Sequence, residues 1–307
     1  MTTLRLGTRR STLALAQATE VADRLGVLGH DVDLVPLTTL GDQSSHALTT
    51  IGGTGVFAAA IRRALLDGEI DLAVHSLKDL PTAPEPGLVV AATPTREDPR
   101  DVLVARGGRG LAELPPGTTI GTGAVRRIAQ LRALGLELQV TPIRGNIDSR
   151  IARVLGPEAD LDAVVLARAG VARLARIDEI TETLDPMLML PAPAQGALAV
   201  ECRADTDLVE LLAALDHAPS RAAVTAERAL LATLEAGCSA PVAAHAELAE
   251  GEHGDEIYLR GAVISPDGSR AIRLSRTGTP ADAAEIGKAL AADLLDAGAD
   301  TLMGSTE

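Results

Sequence analysis

Aromatic side chains are almost missing from this sequence. Phe57 and Tyr258 are the only two among 307 residues, although apolar types make up 46% of the chain. Platforms for stacking nucleic-acid bases are therefore absent, and the net charge of −14 opposes binding to phosphates. We exclude a general nucleic-acid binder and expect an interior built from Leu, Val, Ile and Ala.

Long apolar runs and cysteines are also scarce. No stretch approaches the roughly 18 apolar residues of a membrane span, and residues 1–5 lack a basic segment followed by an apolar one. We therefore expect a cytoplasmic protein without a membrane partner. Cys202 and Cys238, the two cysteines, are expected to be reduced, and because neither lies in a cluster of metal ligands, no metal site is expected.

Lysine is nearly absent, so cationic chemistry depends on arginine. Of 28 basic residues only Lys78 and Lys288 are lysines. Guanidinium groups bind carboxylates through two parallel hydrogen bonds. Nine arginines and six acidic residues lie between Arg96 and Arg150, a local excess of three positive charges. On charge alone, this region also fits a solvated surface of mixed charge.

Strands and helices alternate along the first two thirds of the chain. Short apolar strands are followed by amphipathic helices, the first of which has Ser11 at its N-cap position. Two later helices are expected to begin near Thr122 and Asn146. The alternation predicts an α/β fold with mixed, largely parallel sheets. From Ser220 onward, a long helix, strands near 257–263 and 271–274, and a helix through Ile286 predict a small α+β domain.

Two proline-rich segments, 94–99 and 186–193, are expected to connect domains. Together with the chain length, they predict three domains. Domain 1 comprises 1–95 plus 196–213, domain 2 comprises 100–191, and domain 3 comprises 219–307 and carries Cys238.

Three turns at predicted strand-to-helix junctions contain both glycine and arginine. They are 7–11, 121–127 and 144–146. A helix N-terminus offers unpaired N–H groups and a partial positive charge, so each turn is a candidate anion site. A single turn of this kind is more often an ordinary turn without a ligand. Three of them, in two successive α/β domains, favour a polyanionic ligand in a cleft between the domains, at the carboxyl ends of the strands.

Two residues are candidates for covalent or proton chemistry. Asp79 follows a buried strand and could act as a general acid and base if its surroundings are desolvated and cationic. A surface ion pair with Lys78 is the alternative. Cys238 lies in a turn between glycine and proline, where a thiol facing arginines could be a nucleophile. Cys202, at a strand end, fits an inert packing group.

Seven segments together, in order along nearly the whole chain, resemble the porphobilinogen deaminase family. The segments are 5–11, 73–81, 96–101, 142–146, 195–197, 224–228 and 237–238. Each alone is weak, and their order makes the resemblance specific.

The resemblance implies an enzyme of tetrapyrrole biosynthesis. It implies that four porphobilinogen molecules are joined head to tail with loss of ammonia, and that water then releases hydroxymethylbilane. The chain would grow on a dipyrromethane cofactor held by a thioether to Cys238. The resemblance also implies a monomer whose first two domains are similar to periplasmic binding proteins.

Site residues follow from the same resemblance. Asp79 matches the catalytic carboxylate, which would protonate the leaving amine, stabilise a cationic azafulvene and accept the proton lost at each coupling. Each pyrrole carries an acetate and a propionate, so arginines suit the growing chain. The implied cofactor- and substrate-binding residues are Arg9, Ser11, Gln17, Ser76, Lys78, Thr122, Arg126, Arg127, Arg144, Gly145, Arg150, Arg173 and Gln195.

The chain departs from the family pattern at a few positions. Many relatives have lysine at Thr54 and near Ala59, paired serines at 123–124, and glycine at Ala194. The main alternative function is a non-enzymatic binding protein for a small carboxylate or oxyanion, for which residues 219–307 are superfluous. A nucleotide-binding regulator fits less well, because the turn 52–55 lacks the lysine of a P-loop.

Overall fold

A computed structural model describes residues 3–38, 58–235, 240–251 and 254–303. The chain divides into two compact units. Unit 1 comprises Met1–Glu97 and Gly196–Arg221, and unit 2 comprises Asp98–Gln195 and Ala222–Glu307. No helix of the described ranges is long and apolar enough to cross a membrane.

Unit 1 is built on a five-stranded sheet, sheet A, in the order β2-β1-β3-β10-β4. Strand β1 runs parallel to β2 and β3, whereas β10 runs antiparallel to β3 and β4. The strands are β1 (Leu4–Arg9), β2 (Val32–Leu37), β3 (Leu72–Ser76), β4 (Leu88–Ala92) and β10 (Leu198–Arg203). The helices are α1 (Thr12–Val27), α2 (Ala59–Leu66) and α6 (Leu208–Ala213).

Aliphatic side chains fill both faces of sheet A. On one face, Val21 and Leu25 of α1 pack in one cluster with Leu6. On the other face, Ile61 and Leu65 of α2 form a second cluster. The hydroxyl of Ser11 accepts a hydrogen bond from the Ala14 amide at 3.3 Å, which confirms the predicted N-cap of α1. The predicted aliphatic interior is also confirmed.

The first part of unit 2 repeats this plan in sheet B, with the order β7-β6-β8-β5-β9. Strand β6 runs parallel to β7 and β8, and β5 runs antiparallel to β8 and β9. The strands are β5 (Asp101–Ala105), β6 (Thr119–Thr122), β7 (Gln139–Pro142), β8 (Ala163–Ala167) and β9 (Glu182–Thr183). The helices are α3 (Val125–Ala133), α4 (Ile147–Leu155) and α5 (Arg168–Arg173).

Two sheets of mixed strand direction confirm the predicted α/β class. One boundary differs from the prediction: the helix expected near Thr122 begins at Val125, because Thr122 still pairs with Pro142 as the last residue of β6. The helix expected near Asn146 begins at Ile147 as α4, and the Asn146 side chain caps it by accepting a hydrogen bond from the Ser149 amide at 2.8 Å.

The remainder of unit 2 contains a small antiparallel sheet, sheet C, in the order β11-β12-β13. The strands are β11 (Val242–Gly251), β12 (Gly254–Ile264) and β13 (Ala271–Gly278). The helices are α7 (Ala218–Thr233), which belongs to unit 2 from Ala222 onward, and α8 (Ala283–Asp296). Leu230 of α7 and Leu290 of α8 pack in one cluster with Leu259 of sheet C.

Strand β11 was not predicted from the sequence. Its first half is rich in alanine, which has a low intrinsic preference for strands and gives no clear alternation of apolar and polar residues. The strand forms because it pairs with β12 over its whole length, from Val242 opposite Val263 to Gly251 opposite Gly254. Tertiary pairing therefore decides the structure of this segment.

Candidate active site

Asp79 lies in a single 3₁₀ turn, Leu77–Asp79, that directly follows β3. The Leu77 amide donates a hydrogen bond to the Ala197 carbonyl at 3.0 Å, and the side chains of Leu77 and Leu80 are each 3% exposed. Asp79 itself is exposed. The two buried leucines fix the backbone of the turn, so the carboxylate is presented to solvent from a defined position.

The other predicted site residues of unit 1 lie near the same edge of sheet A, with one exception. Strands β1 and β3 are parallel neighbours, so the residues at and just beyond their carboxyl ends, Arg9–Ser11 and Ser76–Asp79, lie at one edge. The Ser11 hydroxyl is engaged by the N-terminus of α1. Gln17 is the exception, because it is buried further along α1.

A buried charge cluster that the sequence did not predict braces the end of β3. Glu201, on β10, is 2% exposed and accepts hydrogen bonds from the Nε and NH2 groups of Arg62, the shorter at 2.9 Å. His75 Nε2 lies 3.2 Å from the same carboxylate. Burial raises the pKa of Glu201, but His75 and Arg62 outweigh this effect and the pKa falls below its ordinary value. The sequence feature that could have revealed this cluster is a single charged residue, Glu201, within the otherwise apolar segment 198–202.

Asp101 is the central buried carboxylate of sheet B. It lies opposite Ala167 at the edge where β6, β7 and β8 end, and it is 0% exposed. Arg126 NH2, Arg127 NH2 and Gln195 Nε2 each donate to it at 2.8 Å. Burial alone raises the pKa of Asp101, but the two guanidinium charges and these hydrogen bonds lower it from 3.8 to about 2. Asp101 is therefore ionised at neutral pH and orders the first turn of α3.

Arg126 and Arg127 were expected to bind the ligand, and the structure places both of them against Asp101. Arg126 is 4% exposed and also donates to the Leu190 carbonyl. Burial lowers its pKa, while Asp101 opposes that shift. Arg127 also donates to the Gln195 side-chain carbonyl at 3.2 Å. Two guanidinium groups share one carboxylate, so this position keeps one excess positive charge.

Arg150 connects the turn after β6 to the turn after β7. Its Nε donates to the Gly145 carbonyl at 2.9 Å, and Gly145 has a φ of +106°, which favours glycine. A Cβ atom on Gly123 would lie only 3.1 Å from the Arg150 NH2 group and 2.8 Å from the Ile143 carbonyl oxygen. The absence of a side chain at residue 123 therefore lets the Arg150 guanidinium approach the backbone of that turn.

The turns after β6 and β7 thus form one cationic surface at this edge of sheet B. Burial and the nearby charge of Arg127 both lower the pKa of Arg150. The Thr122 hydroxyl is 0% exposed and has no hydrogen-bond partner within the described residues. Arg144 is exposed in the turn after β7, and Arg173 is partly exposed at the end of α5, the helix that follows β8. Like charges held close together beside an unsatisfied hydroxyl make this edge a candidate site for a ligand with several anionic groups.

Comparison with known proteins identifies the family to which this site belongs. A family model described as porphobilinogen deaminase, dipyromethane cofactor binding domain, matches residues 4–210. A second, the porphobilinogen deaminase C-terminal domain, matches residues 221–296. The chain belongs to the porphobilinogen deaminase family, as its motifs predicted.

Curated relatives match over nearly the full length. A porphobilinogen deaminase from Mycobacteroides abscessus is 58% identical over 98% of this chain and 99% of its own. A porphobilinogen deaminase from Nocardia farcinica is 57% identical over 98% of this chain and 88% of its own. Among solved structures, a periplasmic substrate-binding protein of an ABC transporter from Coxiella burnetii aligns at a TM-score of 0.44 and 15% identity, over 73% of this chain and 94% of its own.

The residues at the edge of sheet B fit a dipyrromethane, the cofactor predicted from the sequence and supported by the matching family domain. The group carries carboxylates, and Arg127, Arg150 and the unpartnered Thr122 hydroxyl are suitable donors for them. Cys238, the predicted attachment residue, lies outside the described residues, as do Thr54 and the turn 52–55. Cys202 is buried in the core of unit 1, and burial raises the pKa of its thiol, in agreement with the predicted packing role.

Proposed function

We propose that the chain condenses four porphobilinogen molecules, with loss of four ammonia molecules and addition of one water, to give hydroxymethylbilane. The cationic edge of sheet B, where Arg127 and Arg150 lie close together, is the observation that carries the proposal. Every substrate unit and every intermediate length of product carries carboxylates in pairs. A cluster of arginines therefore suits each stage of the reaction.

Binding and orientation are assigned to the residues of unit 2. Arg127, Arg150 and Thr122 bind carboxylates at the buried part of the edge, and Arg144 and Arg173 bind them where the edge is more open. Asp101 and Gln195 hold Arg127 in place, and Arg126 helps to orient the Asp101 carboxylate. When bound to Cys238, the dipyrromethane supplies the pyrrole carbon to which the first substrate unit is joined.

Proton transfer is assigned to Asp79 of unit 1, with Arg9, Ser11, Gln17, Ser76 and Lys78 as substrate-binding residues of that unit. The Asp79 carboxyl group donates a proton to the amine nitrogen of porphobilinogen, so that the carbon–nitrogen bond breaks and ammonia leaves. After the carbon–carbon bond forms, the Asp79 carboxylate accepts the proton lost from the attacked pyrrole carbon. One proton is given and one is taken back in each cycle, so Asp79 is ready for the next unit.

A stoichiometric assay tests this function. Purified protein incubated with porphobilinogen should release one ammonia for each porphobilinogen consumed, and the product should have the mass of four linked units. A binding protein would consume no substrate and release no ammonia, and that result would contradict the proposal. A control incubation with boiled protein measures any spontaneous condensation of porphobilinogen.

We also propose that the protein works as a cytoplasmic monomer on this small molecule, without a nucleic-acid or membrane partner. The family resemblance supports the monomer, and the acidic charge of −14 supports the lack of a nucleic-acid partner. Native mass spectrometry should give the mass of one chain, 31.5 kDa, plus its cofactor. A predominant dimer would contradict this assembly state.

A further inference from the structure

Glu227, within the 224–228 motif, is a carboxylate that the proposed chemistry does not use. It lies in α7 and is 0% exposed. One oxygen, Oε2, accepts a hydrogen bond from the Ala194 amide at 2.6 Å, and the other, Oε1, accepts one from the Ala246 amide at 2.8 Å. His245 Nδ1 lies 3.5 Å from Oε1. Glu227 therefore connects sheet C to the segment just before β10.

Ala194 has a backbone conformation that an alanine rarely adopts. Its φ is +61°, in the left-handed region, and its side chain is 0% exposed. The Cβ atom of an L-residue disfavours this region, whereas glycine enters it freely. The amide of the same residue donates a short hydrogen bond to the buried Glu227 carboxylate, which opposes relaxation to a more ordinary φ. Glu227 thus holds Ala194 in its left-handed conformation.

The residue after Ala194 is Gln195, which reaches the centre of the cationic edge. Its Nε2 donates to Asp101 at 2.8 Å and to the Pro99 carbonyl at 2.6 Å, and its Oε1 accepts from Arg127 at 3.2 Å. A change of φ at Ala194 would rotate the backbone of Gln195 and move its side-chain amide away from Asp101, Pro99 and Arg127. The backbone of residue 194 therefore controls the position of the Arg127 guanidinium.

We propose that Glu227 is a positioning residue for porphobilinogen binding, which acts through the backbone of Ala194 and the side chain of Gln195 on Arg127. This inference rests on the proposed function. It gives a reason for the buried carboxylate, and it explains how alanine is accommodated in a backbone conformation that favours glycine. Glu227 holds a donor in place and is not itself a group that contacts substrate.

The test compares Glu227→Gln with the double variant Glu227→Gln, Ala194→Gly. A glutamine has one oxygen and cannot accept from both the Ala194 and Ala246 amides. The single variant should raise KM more than it lowers kcat, with a loss in kcat/KM of roughly tenfold to a hundredfold. Amide hydrogen exchange in residues 194–197 should be faster. Glycine at 194 keeps the left-handed backbone without the hydrogen bond, so the double variant should recover most of the lost kcat/KM.

Several controls separate this role from a merely structural one. Glu285→Gln makes the same change of charge on the exposed surface of α8, where Glu285 is 72% exposed, and should alter neither readout. Glu227→Asp keeps the buried charge but is too short to span both amides, and it serves if Glu227→Gln does not fold. Unchanged exchange at 194–197 in a folded variant, or a double variant no better than the single one, would overturn the proposal. The exchange measurement does not depend on activity, so its outcome stands even if the proposed function fails.

Discussion

The Asp79→Asn enzyme is expected to condense porphobilinogen roughly 10²–10⁴ times more slowly than the wild type. Asparagine has nearly the same size and polarity as aspartate but cannot give up and recover a proton. The turn is held by Leu77 and Leu80, both buried, so the substitution leaves the backbone in place. The loss should therefore appear in kcat, with little change in KM, in a steady-state assay of substrate consumption.

Asp71→Asn is the matched control for Asp79→Asn. Asp71 lies just before β3, at the opposite end of that strand, and its carboxylate forms an ion pair with Arg5 at 2.7 Å. Loss of the Asp71 carboxylate should leave turnover unchanged.

The Asp79→Asn protein should still carry the cofactor. Its mass should therefore differ from that of the cofactor-loaded wild type only by the change of residue. Near-normal turnover by Asp79→Asn would remove Asp79 from the proton-transfer step.

Asp101→Asn is expected to lower the free energy of unfolding by about 3–5 kcal/mol, because it leaves two guanidinium groups without their counter-charge. Arg126 and Arg127 are 4% and 5% exposed, so water compensates poorly for the lost carboxylate. Urea titration at neutral pH measures the effect. Folded Asp101→Asn protein should also bind porphobilinogen more weakly, since Arg127 loses the carboxylate that positions it.

The effect of Asp101 on stability should depend on pH in a defined direction. Its pKa is depressed from 3.8 to about 2 in the folded protein, so its stabilisation is complete above the unfolded value and is lost as the pH falls through about 2. The difference in stability between the wild type and Asp101→Asn should therefore shrink as the pH is lowered below about 4. A difference that is constant with pH would contradict the assigned ionised state.

Asp160→Asn provides the control for Asp101→Asn within unit 2. Asp160 also forms a pair of hydrogen bonds with one arginine, Arg153, but its side chain is 55% exposed. An exposed ion pair contributes about 0–1 kcal/mol, so its removal should have a small effect. Comparable losses in the two variants would show that burial of Arg126 and Arg127 does not determine the cost.

The local patterns in the sequence were sufficient to predict much of the fold. Ser11 was recognised as a helix cap, and a helix start was predicted near Asn146, because both are short-range features that depend on a few neighbouring residues. Strand β11 was missed because its formation depends on pairing with β12, which the local sequence does not encode. The same distinction applies to the helix expected near Thr122, whose start is set by the pairing of β6 with β7.

Residue types at the candidate site could be predicted, but their partners could not. Arg126, Arg127 and Gln195 were selected from their motifs, yet nothing in the local sequence shows that all three bind Asp101, which is 25 to 94 residues away. Glu227 and Glu201 were missed as site-supporting groups for the same reason. A buried carboxylate is recognised by its distant partners, and those become visible only in the folded chain.

Intact mass spectrometry of the purified protein tests the account most directly. The wild type should carry a covalent adduct with the mass of a dipyrromethane, and Cys238→Ser should carry none and should be inactive. Cys202→Ser, which alters the buried thiol of the unit 1 core, should keep the adduct. An active wild type of unmodified mass, or an adduct that persists in Cys238→Ser, would contradict the account.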